Sequence, residues 1–381
     1  MHKKYTESHL QKYAIKSSMS RGRIFNEKKD PTRTQFQRDR DRIVHSSSFR
    51  RLKHKTQVFV NTTGDHYRTR LTHSMEVSQI SRTIARYLGL NEDLCETLSL
   101  AHDLGHTPFG HAGEDVLNKY MKSYGGFDHN IQTIRILTLL ENKYYKFHGL
   151  NLTIETLDGL IKHNGPPKNL PSFNNILKIN NFRGKILFNK SPSLEAQVAS
   201  ISDDIAYNNH DLEDGLRAGL FNFSKLKKVA FVSKKISMII KNKKKYRREV
   251  FVNELVRKLI NEMVKDVIKT TINNINKIKP LSVDDIYSQK NPIVAFSKKM
   301  KKVDHEIKFF LKKNMYNNKK VIVNTNKSKI IIKDLFTYLI KNPQRFINKM
   351  LFKDSTKERV VADFIAGMTD RYAINLYNKI K

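Results

Sequence analysis

The sequence predicts an all-α protein with one small β-hairpin in its C-terminal half. Three observations carry that prediction. Apolar residues recur at three- and four-residue spacing through long stretches of the first 220 positions. Capping residues stand just before these stretches, and glycine or proline stands just after them. Alternation of β-branched and polar residues is confined to VIVNTNKSKIIIK (321–333), around a polar turn.

Taken in order, an N-terminal arm (about 1–40) leads into a helical block that runs to roughly residue 220. Residues 72–88, THSMEVSQISRTIARYL, have helical periodicity and stop at Gly89. Asn91 caps a second helix, EDLCETLSLAHD, with Leu94, Leu98 and Ala101 on one face. Asp128 caps a third, HNIQTIRILTLLE. A fourth begins near Ser193 and continues through LEAQVASISDDIAYNNHDLEDGL to about Leu216. Lys-rich helical segments follow, broken at Pro280, Pro292 and Pro343. No internal repeat or Gly/Ser linker interrupts the chain. The expected organisation is a basic, pocket-forming arm (1–64), a helical domain (65–220) and a Lys-rich helical region (221–381) packed on it.

Bulk composition excludes several classes. With 381 residues, 39% of them hydrophobic, the chain has enough apolar material for a sizeable core. The single cysteine, Cys95, rules out an intrachain disulfide and a Cys-rich zinc module. The N-terminus lacks the apolar segment of a secretory signal, and no run of about eighteen apolar residues exists, so a cytoplasmic protein without a membrane span is expected. The net charge of +35 has two readings. Long-range attraction to nucleic acids or nucleotides is one. Coding bias towards Lys, Asn and Ile is the other, and it suits the lysines of 234–248 and 312–333. Positive charge near the N-terminus is largely arginine, clustered in 33–55, and arginine suits bidentate phosphate contact.

The chemistry is concentrated in AHDLGHTPFGHAGED (101–115), which holds three of the fourteen histidines. His102 and Asp103 close an apolar helical run, and His106 and His111 flank a turn containing Pro108 and Gly110. Imidazole and carboxylate are common ligands for divalent Mn, Fe and Zn. A helix end that delivers two ligands, with a loop carrying two histidines over them, points to a metal-centred hydrolytic site. His73 lies three residues after Arg70, so the two share a side of their helix. Asp203, Tyr207 and Asp211 recur every four residues and form one stripe, whereas Asp204 lies about a hundred degrees round the helix. Asp203 reads equally as a ligand or as part of an exposed acidic patch with Glu213 and Asp214.

The order His73, His102-Asp103, Asp203 resembles the HD superfamily of metal-dependent phosphohydrolases, which is all-α. Within it the chain is similar to bacterial deoxyguanosine triphosphate triphosphohydrolases and their dGTPase-like relatives. The similar segments are 38–59, 68–85, 101–114, 127–137, 203–219 and 359–373, whereas about 220–350 carries little of the likeness. The resemblance implies an HD-domain helical fold with a divalent ion (Mn, Mg or Fe) on His73, His102, Asp103 and Asp203. It also implies a catalytic His111 supported by Glu114, and a further active-site histidine at His129. Gln57 and Asp211 fall where relatives read the sugar 3′-hydroxyl, and Tyr207 where a ring excludes a 2′-hydroxyl. Arg70 falls on an α-phosphate contact. The chain departs from mammalian SAM-and-HD-domain relatives at Asp204, where they carry lysine. A basic residue from elsewhere, such as the 33–55 arginines, would then supply that phosphate contact.

The reaction so implied is hydrolysis of a deoxynucleoside triphosphate (dNTP) to the deoxynucleoside and inorganic triphosphate. Protonated His111 would donate to the leaving 5′-oxygen. No GxxxxGK[ST] motif occurs, which excludes a P-loop enzyme. The alternatives are an HD-type phosphodiesterase or nucleotidase acting on another nucleotide, and a nucleic-acid-binding HD protein that uses the basic surface. The resemblance further implies a homo-oligomer and allows a nucleotide activator.

Overall fold

The structure is a computed structural model that describes residues 7–57, 68–167, 185–241, 247–348 and 355–381. The expected boundary at 64/65, the last two residues of segment 38–59, the first six residues of the N-terminal arm and residues 242–246 of the lysine run lie outside the described residues.

From residue 7 the arm is irregular, apart from a 3-10 turn at Ser17–Met19, up to Thr34, which caps α1 (Gln35–Val44) in a reciprocal capping box with Gln37. A short α2 (Ser47–Arg51) follows, capped by Ser46. The first expected helix is α3 (Arg70–Leu88), which starts two residues early because Thr69 is its cap. It ends at Gly89, whose left-handed conformation (φ 65°) a side chain would strain. Asn91 accepts from Leu94 N–H at the start of α4 (Glu92–Ala101). The expected glycine and proline turn separates α4 from α5 (His111–Tyr120). Asp128 caps α6 (His129–Arg135), which loosens into a π-helical turn over Ile136–Leu140. A buried α7 (Ile154–Ile161) leads towards α8 (Leu194–Arg217), capped by Ser193. The second half continues through α9 (Phe223–Leu226), α10 (Ala230–Lys241), the long α11 (Arg248–Ile278), α12 (Val283–Tyr287), α13 (Lys298–Leu311), α14 (Lys319–Lys341), α15 (Lys357–Ala366) and α16 (Asp370–Ile380).

The all-α expectation agrees with the structure; the hairpin does not. Residues 321–333 lie inside α14, and the described residues contain isolated bridges but no strand. The reason is packing. Ser328, Ile332, Leu335, Phe336 and Leu339 recur at helical spacing and are buried, whereas the β-branched Ile322, Val323 and Ile330 are exposed. The apparent alternation therefore came from residues that face water. Burial of the helical stripe overrides their weak intrinsic preference.

Three apolar cores hold the helices. One joins α3, α8, α10, α11 and α13 through residues such as Val77, Ile84, Val198, Leu259 and Ile307. A second joins α1, α4 and α7 through Phe36, Ile43, Leu94, Leu98 and Leu157. The third joins α5, α14, α15 and α16 through Leu117, Leu335, Val361 and Leu376. Leu98 is almost fully buried, so truncating a residue of this kind to alanine would cost roughly 2–5 kcal/mol. Because α3 packs on both α4 and α8, the start of α3, the end of α4 and the middle of α8 converge. None of the described helices is long and apolar enough to cross a membrane.

Candidate active site

Three helices deliver the proposed ligands. His73 lies in the first turn of α3, His102 is the C-terminal cap of α4, and Asp203 sits mid-way along α8. His73 Nε2 lies 2.9 Å from Asp203 Oδ1, and His102 Nε2 lies 3.6 Å from the same oxygen. Asp103 Oδ1 approaches His102 Nε2 at 3.4 Å. His102 Nδ1 donates to the Ser99 carbonyl at 2.6 Å, which leaves Nε2 as the ring atom where a cation could replace a proton. That Nε2 is buried and has no hydrogen-bond partner. His73, His102 and Asp203 can direct one donor atom each to a common point, within 4.8 Å of one another, and Asp103 joins them through His102. An unpartnered buried imidazole nitrogen facing two carboxylates fits a divalent cation. Burial opposes ionisation of Asp103 and Asp203, yet His102 and its neighbours hold both well below the usual carboxylate range.

Arg70, buried at the start of α3, donates to Asp103 Oδ2 at 2.9 Å, so it braces the ligand as well as facing the site. His163 Nε2 lies 3.4 Å from Asp203 Oδ2, which adds a histidine that the sequence reading missed. No spacing marked it, because it arrives from the turn after α7 rather than from the helices that carry the proposed ligands.

Beside this group stands a second one. Glu114 accepts from His111 Nδ1 at 3.1 Å and from His129 Nδ1 at 2.8 Å. The His106 ring stacks on His129 with centroids 4.0 Å apart. Gly105 makes this possible, since a Cβ there would lie 2.0 Å from the His129 carbonyl oxygen. His111 is exposed, whereas His106 is buried. Burial lowers the pKa of His129, but Glu114 more than offsets this and raises it above the ordinary value. Burial, Arg70 and His129 push His106 well down. One ring is therefore kept protonated directly beside a neutral one.

The stripe on α8 is also realised. Tyr316, from the turn after α13, donates to Asp211, and its Oη lies 3.1 Å from Tyr207 Oη, from which it can accept. Burial, with Asp214 nearby, pushes the Asp211 carboxyl up to about 8. Gln57 Oε1 and Asp211 Oδ1 are both buried without hydrogen-bond partners, so each has capacity to pair with a hydroxyl. Asp204 faces elsewhere, as the helical angle predicts, and accepts from Lys308 of α13 at 2.7 Å. Tyr316 and Lys308 come from a segment with little motif content, so their roles were not legible.

The arginines of 33–55 do not supply a free phosphate-binding patch. Arg33 pairs with Asp30 and Asp41, Arg40 with Asp93 and Glu96, and Arg42 with Glu27 and the Leu150 carbonyl. Arg51 donates to Ser48 Oγ at 2.8 Å. Arg40 and Arg42 tie the arm to the helical block, whereas the contacts of Arg33 and Arg51 are local.

Residues 70–208 match the HD domain, and residues 294–379 match the phosphohydrolase-associated domain. The chain is 57% identical over 360 residues to a deoxyguanosinetriphosphate triphosphohydrolase-like protein of Pelagibacter ubique, covering 94% of this chain and 96% of the relative. Proteins of the same description from Bartonella tribocorum and Brucella anthropi are each 46% identical, over 97% of this chain and 94% of theirs. With that identity along nearly its whole length, and with the His-Asp doublet at the meeting point of α3, α4 and α8, the chain belongs to the deoxyguanosinetriphosphate triphosphohydrolase-like family of HD-domain proteins.

Proposed function

We propose that the protein is a metal-dependent hydrolase that converts a dNTP to the deoxynucleoside and inorganic triphosphate. The observation that carries this reading is adjacency. A carboxylate–histidine group suited to a divalent cation, on α3, α4 and α8, stands beside a histidine pair on one glutamate, from α5 and α6, and a tyrosine–aspartate cluster on α8. The family's printed description supports the substrate class.

His73, His102, Asp103 and Asp203 would hold the cation. When bound, a divalent ion supplies Lewis-acid polarisation of a phosphoryl oxygen. Arg70 offsets phosphate charge while it keeps Asp103 oriented. His111 or His129, each with Nδ1 on Glu114, presents Nε2 as the general acid for the leaving 5′-oxygen. Glu114 is held below the usual carboxylate range against the opposing effect of burial, and it favours imidazolium on His129. Exposure lets His111 reach substrate, whereas the raised pKa of His129 keeps a proton in reserve. Tyr207 would lie under the deoxyribose, with Gln57 and Asp211 accepting from its 3′-hydroxyl. A ribose hydroxyl forced against Tyr207 would be buried and unpaired, at a cost of roughly 1–3 kcal/mol. In this reading the arm to residue 64 closes the pocket, residues 65–220 carry the metal site, and the region beyond supplies Tyr316 and Lys308.

The test is a product assay with Mn2+ across the four dNTPs and GTP, each nucleotide also added as a possible activator. Inorganic triphosphate released from at least one dNTP, with GTP left intact, is the expected result. Release of pyrophosphate or orthophosphate instead, or equal turnover of GTP and dGTP, would overturn the proposal and favour a less selective HD nucleotidase.

A further inference from the structure

His73 makes a second contact on the side of its ring away from Asp203. Its Nδ1 lies 3.2 Å from Nδ1 of His210, and the two rings meet edge to face at 5.4 Å. His210 Nε2 in turn lies 2.8 Å from Glu76 Oε2. Arg68 donates to both oxygens of Glu76, at 2.6 and 3.1 Å, and is itself anchored by Glu213 at 3.1 Å. The register is regular: His73 and Glu76 are three apart on α3, and His210 and Glu213 are three apart on α8, so each pair shares a face.

With a cation held between His73 Nε2 and Asp203, counting hydrogens along this line gives one consistent arrangement. An ionised carboxylate only accepts, so the hydrogen between Glu76 and His210 belongs to His210 Nε2. Neutral His210 then offers a lone pair at Nδ1, and the hydrogen between the two Nδ1 atoms belongs to His73. His73 Nε2 is left with its lone pair directed towards Asp203. Without Glu76 the choice reopens, because His73 Nε2 lies 2.9 Å from Asp203 and could carry its hydrogen there instead. His102 needs no such device, since a backbone carbonyl fixes its tautomer.

We propose that Glu76 and His210 are positioning residues whose hydrogen-bond relay holds His73 in the Nδ1–H tautomer and thereby sets the affinity of the site for its divalent ion. The inference rests on the metal reading above. Groups behind a ligating histidine typically change metal affinity by about 10–100-fold when they are removed. The outer end of the relay is accessible: Glu76, Arg68 and His210 line a cavity of about 450 Å³ between α3, α8 and α11.

The experiment titrates the full chain with Mn2+ alone, read by electron paramagnetic resonance, for the parent, Glu76→Leu, Glu76→Gln and His73→Ala. Glu76→Leu is expected to weaken Mn2+ binding about 10–100-fold. Glu76→Gln restores most of the affinity, because its amide oxygen can still accept from His210. Nitrogen-15 spectra of the parent loaded with diamagnetic Zn2+ should show His73 protonated at Nδ1, a reading that does not depend on any variant folding. Finding Nδ1 without its proton overturns the relay. So does parent-like affinity in Glu76→Leu, or equal weakening in Glu76→Leu and Glu76→Gln. If His73→Ala itself keeps parent-like Mn2+ affinity, the metal reading fails, and the relay fails with it.

Discussion

His102 Nε2 is a donor atom without a protein partner, buried beside two carboxylates that their neighbours keep ionised. His102→Ala or Asp103→Ala is therefore expected to lose bound Mn2+ and activity together while circular dichroism retains the helical signal. Full metal occupancy in both variants would refute the site. Asp211 supports a second expectation, about pH. Burial raises its carboxyl from 3.8 to about 8, so the folded protein keeps a proton that the unfolded chain has released. A raised pKa contributes stability that is present below pH ~4 and lost as pH rises through about 8. Asp211→Asn removes that dependence. Urea unfolding at several pH values should show the variant gaining on the parent between pH ~4 and ~8, by at most about 1.4 kcal/mol per pH unit. A difference that does not change with pH would mean that Asp211 is ionised throughout.

Elements set where these residues can meet. The capping residues Asn91, Asp128 and Ser193 were legible because each satisfies orphan N–H groups at a helix start, a requirement local to a few residues. The hairpin at 321–333 was misread because a short, Lys-rich helix face exposes its β-branched residues, and alternation alone does not reveal which face is buried. Lys327→Pro separates the two readings. Lys327 is exposed and mid-way along α14, so proline there removes a helical hydrogen bond and clashes with the preceding turn, at a cost of about 3 kcal/mol or more. In a hairpin turn the same change would be tolerated, so an unchanged unfolding free energy would restore the strand reading.

At the scale of the whole molecule, the C-terminal helices are tied to the loop that carries His106 and His111. Asp370 accepts from Thr56 N–H and Phe109 N–H, each at 2.9 Å, and buried Lys55 donates to the carbonyls of His106 at 2.5 Å and Ala366 at 2.8 Å. Asp370→Ala leaves two buried N–H groups without a partner, each costing roughly 1–3 kcal/mol. Destabilisation of about 2–5 kcal/mol in urea is expected, with a fall in kcat because the histidine loop loses its anchor. A loss under about 1 kcal/mol, well below the cost of even two weakly buried orphans, would show that water or a rearranged loop satisfies both groups. The charge of +35 also reads differently at this scale. The described arginines of the arm are engaged with acids and carbonyls inside the chain.

By itself the sequence determined the helical class and most helix limits before residue 220, and through its resemblance to the HD superfamily it nominated His73, His102, Asp103 and Asp203 as ligands. Periodicity, caps and a motif are local properties, and they survive without coordinates. Asp204 could be set aside on helical angle alone, and His210 lies seven residues after Asp203 on the same face, a signal that was present but unused. Only the tertiary structure decided that 321–333 is helix, that Arg40 and Arg42 brace the arm internally, that Tyr316 and His163 reach the site, and that Lys308 pairs with Asp204 away from it. These depend on which surfaces become buried and on which distant segments the packing of α3, α4 and α8 brings together. A contact between residues more than a hundred positions apart, such as Tyr316 with Asp211, has no local signature.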